Sequence, residues 1–238
     1  MKKIVVFTGA GVSADSGLAT FRDSDGLWAN YRIEDVCTPE ALRDNRAQVV
    51  DFYNMRRREM LGKEPNAGHR AIAGLEKCFD VEVITQNVDN LHERAGSTHV
   101  IHLHGELTKV CSSRDPYNPH FVKELAPEEY EVKLGDKAGD GTQLRPFIVW
   151  FGESVPEIET AIRYVEQADI FVIIGTSLNV YPAAGLLNYV PRAAEVYLID
   201  PKPVDTHVMR PIHVIQKGAS EGVKELKALL TATQPPLP

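Results

Sequence analysis

The sequence predicts an α/β fold in which helices cover both faces of a doubly wound parallel sheet. Short apolar runs rich in β-branched residues recur along the chain, and helical stretches separate most of them. The runs show little apolar–polar alternation, which is typical of strands buried on both faces. Strands that alternate with helices favour a doubly wound sheet. The predicted strands are Ile4–Phe7, Val81–Ile84, Pro146–Trp150, Ile170–Ile174 and Glu195–Ile199.

A mostly helical segment, about 23–77, interrupts this alternation. Thr38-Pro39 supplies a favourable N-cap and first helical residue for a helix over Ala41–Met60, which is expected to stop at Gly62. Asn66 is expected to cap a second helix that reaches the end of the segment. The sequence therefore predicts a small helical module between the first and second strands.

A second interruption, Lys109–Gln143, is polar and has little periodicity, so it predicts a small insert or a long loop. We expect one catalytic domain with two parts. The large domain covers about 1–22, 78–108 and 144–234, and the small module covers about 23–77 and 109–143.

The composition limits the class of protein. The 238 residues carry a formal net charge of −7, whereas a dedicated nucleic-acid binder needs a basic face. Three scattered cysteines are too few for a disulfide framework, and no run approaches the roughly 20 apolar residues that span a bilayer. We expect a cytoplasmic protein that binds neither nucleic acid nor membrane, and no sequence feature indicates its oligomeric state.

The first predicted strand is followed by a glycine-rich loop that can hold a dinucleotide. Gly9, Ala10, Gly11, Ser13 and Ala14 fit the pattern G-x-G-x-x-G/A, in which glycines let the backbone approach a pyrophosphate at a helix N-terminus. The motif alone is equally compatible with an ordinary tight turn. The usual acidic residue about 20 positions later is missing.

An acidic partner for a ribose comes late in the chain. Asp200 follows the strand Glu195–Ile199, but a turn-forming aspartate before Pro201 explains it equally well.

Four further stretches complete a pattern together with Gly9–Arg22. The order of these stretches along the chain resembles that of the sirtuin family, and the resemblance covers nearly the whole chain outside the insert. The stretches are Thr85–Asp89, His102–Leu107, Val149–Glu153 and Gly175–Ser177.

The resemblance implies a Rossmann-like large domain, a small module, and NAD bound in the cleft between them. It assigns the pyrophosphate to the glycine loop and places Phe21, Arg22 and Trp28 beside the cofactor. It also assigns nucleotide contacts to Gln86, Asn87, Val88, Asp89, Gly175, Thr176, Ser177, Asp200 and Ala219. Most sirtuins carry Asn where Asp200 stands.

The resemblance also implies a catalytic base. His102 and His104 alternate on one predicted strand, so periodicity does not separate them. The base of the family precedes a glycine, which selects His104 before Gly105. Its expected role is to deprotonate ribose hydroxyls after an acyl-lysine oxygen has displaced nicotinamide, for which an imidazole pKa is suited.

The sequence also contains candidate residues for binding the acyl group and the peptide of the substrate. Tyr53 and Arg56 lie i,i+3 on a predicted helix, and sirtuins that remove succinyl and malonyl groups carry a similar pair. Adjacent arginines make a solvated basic face the alternative. The resemblance places the acyl-lysine peptide against Val149, Phe151 and Gly152.

One part of the family pattern is missing. Most sirtuins bind zinc through two C-x-x-C pairs, but only Cys111 stands in that region here, so we expect no zinc. The function implied is NAD-dependent deacylation of acetyl-lysine and of succinyl- or malonyl-lysine in proteins. An NAD hydrolase or ADP-ribosyltransferase on the same scaffold, and a non-catalytic NAD or acyl-lysine binding module, are the alternatives.

Overall fold

The computed structural model describes residues 1–19, 31–206 and 208–232. Its strands in chain order are β1 (Lys3–Thr8), β2 (Asp80–Thr85), β3 (Val100–His102), β4 (Gly105–Ser112), β5 (Lys123–Glu124), β6 (Leu144–Ile148), β7 (Ile170–Ile174), β8 (Glu195–Ile199) and β9 (His213–Ile215). Its α-helices are α1 (Ile33–Val36), α2 (Pro39–Asp44), α3 (Arg46–Leu61), α4 (Ala67–Ala73), α5 (Leu91–Arg94), α6 (Ile158–Val165) and α7 (Ala219–Ala232).

The larger sheet has the order β3-β2-β1-β7-β8-β9, and every neighbouring pair is parallel. This is the order of a Rossmann-type sheet once the strands of the insert are left out. The chain order reverses between β1 and β7, and ligands of such sheets bind beyond the carboxyl ends of the strands at that point. The predicted doubly wound α/β fold is confirmed.

Two apolar layers bury the larger sheet. On one face, Ile4 and Val6 of β1 pack with α4 and with Val223 and Leu226 of α7. On the other face, Val5 and Phe7 pack with α6 and with the 3₁₀ helix Ala183–Tyr189. Burial on both faces explains why these strands show no alternation of apolar and polar residues.

The predicted long helix after Thr38 is two helices. Thr38 is the expected N-cap, since its hydroxyl accepts the N–H of Ala41 at 3.1 Å. Asn45 then leaves the helical conformation, with φ −140° and ψ 59°, and separates α2 from α3. The Asn45 side chain makes no capping hydrogen bond to the backbone and instead donates to the side chain of Gln48. The prediction of one helix over Ala41–Met60 was therefore wrong.

The strand Pro146–Trp150 was also predicted in the wrong sheet. The chain forms β6 over Leu144–Ile148, and β6 pairs antiparallel with β4 in a separate sheet of order β5-β4-β6. Helix α3 covers this sheet, so that Phe52 and Tyr53 pack with Trp150. The insert Lys109–Gln143 therefore belongs to a small sheet and is not only a loop.

Helices long and apolar enough to cross a membrane do not occur in the described ranges.

Candidate functional site

The loops after β1 and β7 touch at the point where the strand order reverses. Gly11 N donates to Gly175 O at 2.9 Å, and Gly9 N donates to Ile174 O at 3.0 Å. A Cβ on Gly11 would lie 2.7 Å from the Cα of Gly175. Gly175 has φ +61°, and a Cβ there would lie 2.5 Å from Val12 N. These glycines are needed for the contact of the two loops, because any side chain would force them apart.

The helix expected after the glycine loop is a short 3₁₀ helix. Residues Ala10–Ser16 form a 3₁₀ helix that ends at Gly17, with φ 75°. A 3₁₀ helix of seven residues aligns fewer peptide dipoles than a long α-helix does. Any anion at this loop would therefore be bound mainly by individual N–H groups.

The hydroxyl of Ser13 connects three side chains. Ser13 Oγ donates to Asp89 Oδ2 at 3.1 Å and accepts a hydrogen bond from Asn87 Nδ2 at 3.2 Å. His69 Nε2 lies 3.4 Å from the same oxygen. Because His69 Nδ1 accepts the backbone N–H of Asn66, Nε2 is the nitrogen that carries hydrogen. The structure thus brings the predicted residues Ser13, Asn87 and Asp89 into one buried cluster.

Two histidines that the sequence did not single out lie behind this cluster. His69 and His92 pack edge to face at 4.9 Å, and His92 Nε2 lies 3.1 Å from Thr8 Oγ1. Burial lowers the pKa of His69 to about 4 and lowers the pKa of His92 well below its ordinary value, so both rings are neutral at pH 7. The usable signal was His69 at the third position after the cap Asn66, where it completes a capping box.

The pKa of Asp89, the carboxylate of the cluster, is also shifted. Burial raises the pKa of Asp89, while hydrogen bonds from the N–H of Leu91 and from Ser13 oppose that rise. A buried, hydrogen-bonded carboxylate of this kind is a frequent feature of functional sites.

His104 lies in the turn between β3 and β4. The two histidines were predicted on one strand, but β3 ends at His102 and β4 begins at Gly105, so that prediction was wrong. Gly105 has φ +78°, and a Cβ there would lie 2.0 Å from the carbonyl oxygen of Phe147. Only glycine fits, which fixes the backbone of the turn directly after His104.

The imidazole of His104 has a defined tautomer. Its Nδ1 lies 3.0 Å from the carbonyl oxygen of Gln86, which only accepts, so Nδ1 carries the hydrogen and Nε2 keeps a lone pair. Burial lowers the pKa of His104, and the Gln86 carbonyl opposes this change. At neutral pH the ring is therefore a free base.

Gln86 connects His104 to the glycine loops. Its side chain donates from Nε2 to Thr176 Oγ1 at 2.9 Å. Thr176 in turn is next to Gly9, where a Cβ would lie 2.7 Å from the Cβ of Thr176. A continuous series of contacts thus runs from His104 to the crevice between β1 and β7.

The segment Val149–Glu153 lies beside His104. Val149 N donates to His104 O at 2.9 Å, and Phe151 N donates to Cys37 O at 3.1 Å. The side chain of Phe151 is 45% exposed, and Gly152 has φ +87°. The predicted peptide contacts Val149, Phe151 and Gly152 therefore form an accessible edge next to His104.

Tyr53 and Arg56 are both buried, but each already has protein partners. Tyr53 Oη accepts a hydrogen bond from Trp150 Nε1 at 2.7 Å and donates to Cys37 Sγ at 3.4 Å. Arg56 forms an ion pair with Glu59 on the same helix. Burial lowers the pKa of Arg56, and the charges of Glu59 and Asp89 oppose that shift.

The other predicted nucleotide contacts differ in exposure. Ala14 and Ser177 are exposed, Val88 is half-buried, and Ala219 is buried at the start of α7. Asp200 Oδ1 accepts the N–H of Lys202 at 2.8 Å, the turn contact that was the alternative for this residue. Phe21, Arg22 and Trp28 lie outside the described residues.

Comparison with known proteins identifies the family of this fold. The Sir2 family matches residues 9–182. An NAD-dependent protein deacylase of Bacteroides thetaiotaomicron is 75% identical over 97% of this chain and 98% of its own length. The chain belongs to the Sir2 family. A Helicobacter pylori relative named NAD-dependent protein deacylase is 48% identical over 95% of this chain and 96% of its own length.

Solved structures of the Sir2 family have the same architecture. A Sir2 homologue solved as an NAD complex superposes with a TM-score of 0.85, at 38% identity, over 98% of this chain and 91% of its own. A second Sir2 homologue, solved with ADP-ribose, has a TM-score of 0.85 at 36% identity and covers 98% of this chain and 95% of its own. The resemblance inferred from the sequence motifs is confirmed.

The residues of the insert do not fit the zinc that many Sir2 proteins hold. Cys111 Sγ lies 3.6 Å from Pro146 O, and burial raises the pKa of the thiol to about 12, whereas zinc binds the thiolate. Within residues 1–19, 31–206 and 208–232, His, Cys, Asp and Glu form no group of three or more that could hold a metal ion.

Hydrogen bonds connect Ser112, near the start of the insert, with Asp140 and Thr142 near its end. Ser112 Oγ donates to Asp140 Oδ2 at 2.7 Å and accepts the N–H groups of Arg114 and Asp115, each at 3.0 Å. Thr142 Oγ1 donates to the other oxygen of Asp140 at 2.7 Å. These bonds lower the pKa of Asp140 to about 2. The charged carboxylate thus joins the end of β4 to the turn that contains Asp140 and Thr142.

The stability of the insert should depend on Asp140 and not on a metal. We expect Asp140→Asn to lower the midpoint of thermal unfolding by a few degrees, and a chelator to leave it unchanged. Since the folded pKa lies below the ordinary value of 3.8, the carboxylate stabilises the protein above that pH and loses this effect as the pH falls towards 2. Stoichiometric zinc in the purified protein would contradict the expectation. Asp115→Asn, in the same insert, is the matched control.

Proposed function

We propose that this Sir2-family chain is an NAD-dependent protein lysine deacylase, with His104 as its general base. The observation that carries the proposal is the hydrogen bond from His104 Nδ1 to Gln86 O, which leaves Nε2 as a basic nitrogen. That nitrogen belongs to a ring whose pKa is lowered by burial, so it is unprotonated at the pH where a deacylase works.

The crevice between β1 and β7 has the chemistry that a dinucleotide requires. Gly9, Gly11 and Gly175 let the backbone approach a pyrophosphate closely, and the cluster around Ser13 offers an amide and a carboxylate to a ribose or a nicotinamide. Bound NAD supplies an electrophilic ribose carbon with nicotinamide as the leaving group. The outer positions Ser177, Asp200 and Ala219 are proposed to border the adenosine.

His104 and the cluster residues have separate tasks in this proposal. Asn87 and Asp89 orient the nicotinamide ribose, because Ser13 fixes both side chains. With NAD bound, His104 would accept a proton at Nε2 from a ribose hydroxyl and so would activate that oxygen towards the acyl carbon. This scheme needs no protein nucleophile, since the acyl group passes to the sugar.

An acyl-lysine peptide would bind along the edge that follows His104. We assign its backbone to a groove between Val149–Glu153 and Asn179–Pro182, where it adds as a strand. Phe151 and Tyr181 are exposed there, at 45% and 70%. Main-chain hydrogen bonds recognise many sequences, which is suited to an enzyme with several protein substrates.

The decisive experiment follows mass changes in a peptide. The protein is incubated with NAD and either acetyl-lysine or succinyl-lysine peptide, and products are identified by mass spectrometry. Loss of the acyl group with formation of O-acyl-ADP-ribose supports the proposal. Nicotinamide release that is the same with and without peptide would indicate an NAD hydrolase, and binding of NAD without any product would indicate a non-catalytic module.

A further inference from the structure

His102 and His104 bind two consecutive carbonyl groups of one loop. His102 Nδ1 lies 3.0 Å from Asn87 O, and His104 Nδ1 lies 3.0 Å from Gln86 O. The loop between these carbonyls and α5 also carries Asp89. The two rings therefore hold the backbone of the segment that presents the nicotinamide and ribose contacts.

The two imidazoles differ in their second nitrogen. His102 Nε2 lies 2.6 Å from Glu93 Oε1, so both of its nitrogens face acceptors, a carbonyl and a carboxylate. Both nitrogens must then carry hydrogen, which makes the ring an imidazolium. His104 faces one acceptor only and can remain neutral. One charged ring and one neutral ring thus stand two residues apart.

The charges around His102 favour its protonated form. Its side chain is only 7% exposed, and burial alone would lower its pKa, but the hydrogen bond and charge of Glu93, together with Glu106, raise it above the ordinary value. Asp89 also faces the ring, and the pKa of His92 is lowered partly by the charge of His102. Lys109 opposes these carboxylates, since it pairs with Glu106 at 2.6 Å.

We propose that His102, held as an imidazolium by Glu93, is a positioning residue that fixes the Asn87 carbonyl and so the loop that carries Asn87 and Asp89. This inference rests on the proposed deacylase function. Loss of the proton leaves His102 with one donor for two acceptors, and the loop then loses one of its supports. Because the pKa of His102 is raised, the support persists to a higher pH than an ordinary imidazole would allow, and it is lost as the pH rises through that pKa.

The test compares pH profiles of kcat and of KM for NAD in Glu93→Gln, His102→Gln and the wild type. Removal of the carboxylate should move the alkaline limb of kcat to lower pH by about one unit. In His102→Gln this limb should disappear, with kcat several-fold lower at pH 7. Glu76→Gln is the matched control, since Glu76 accepts two hydrogen bonds from Thr98 and has no contact with His102. A Glu93→Gln profile that superposes on the wild type would overturn the proposal.

A second measurement needs neither turnover nor a variant. NMR of the histidine rings in the wild-type protein should show His102 doubly protonated at pH 7 and His104 neutral. A neutral His102 at that pH would overturn the inference even if deacylation is observed. Absence of product with a protonated His102 would instead count against the proposed function, so the two failures are distinguishable.

Discussion

His104→Ala is expected to lower kcat for deacylation by about 10²–10⁴-fold, the usual contribution of a general base. The affinity for ADP-ribose should change little, because the ring contacts the backbone of Gln86 and leaves the cluster around Ser13 intact. Steady-state kinetics with acetyl-lysine peptide gives kcat, and calorimetry gives the affinity. His99→Ala is the matched control, since His99 is an exposed histidine just before β3.

The same residue predicts an acid limb in the pH profile. Burial lowers the pKa of His104 from its ordinary value of 6.5, so the ring stays a base under mildly acidic conditions. As the pH falls through the lowered pKa, Nε2 becomes protonated and kcat/KM should decrease. The limb should therefore lie below pH 6.5. An acid limb above this value, or a His104→Ala variant with wild-type kcat, would exclude His104 as the base.

The central strands of the larger sheet could be predicted from the sequence because each is a short apolar run with clear ends. Residues Ile170–Ile174 and Glu195–Ile199 form β7 and β8 with the predicted bounds. The run Pro146–Trp150 is likewise short and apolar, yet its residues Pro146–Ile148 pair antiparallel with β4. Periodicity and apolarity describe how buried a strand is and not which sheet it joins, so this error could not be avoided from local pattern.

Contacts between residues that are far apart in the chain were also not predicted. Tyr53 is satisfied by Trp150, 97 positions away, and Ser13 meets His69, 56 positions away. A single sequence, read on its own, contains no signal for such pairs. The motif residues Ser13, Gln86, Asn87 and Asp89 were found because they recur in a known family. Their assignment to NAD stays a prediction, although the fold joins Ser13, Asn87 and Asp89 in one buried cluster.

The predicted pair Tyr53 and Arg56, if it binds the acyl group, provides the second large expected effect. Arg56→Met should lower kcat/KM for succinyl-lysine peptide by about 10–100-fold, the value of a lost charge-assisted hydrogen bond of roughly 1.5–3 kcal/mol. Acetyl-lysine peptide has no carboxylate, so its kcat/KM should change little. Arg58→Met is the matched control: Arg58 lies on the same helix, but it binds Tyr130 and Glu131 at the surface. Equal losses on both peptides would contradict a carboxylate role for Arg56.

A succinyl carboxylate that bound Arg56 would compete with Glu59 for the same guanidinium. Arg56 already pairs with Glu59, and the Tyr53 hydroxyl is engaged by Trp150 and Cys37, so an incoming succinyl group must share or displace existing partners. Glu59→Gln removes the competing charge and should raise kcat/KM for the succinyl peptide several-fold without raising it for the acetyl peptide. If Glu59→Gln instead weakens succinyl turnover as Arg56→Met does, Glu59 holds the guanidinium in place for the substrate. Glu131→Gln, which breaks the exposed pair with Arg58, separates either effect from a general loss of charge on this side of the protein.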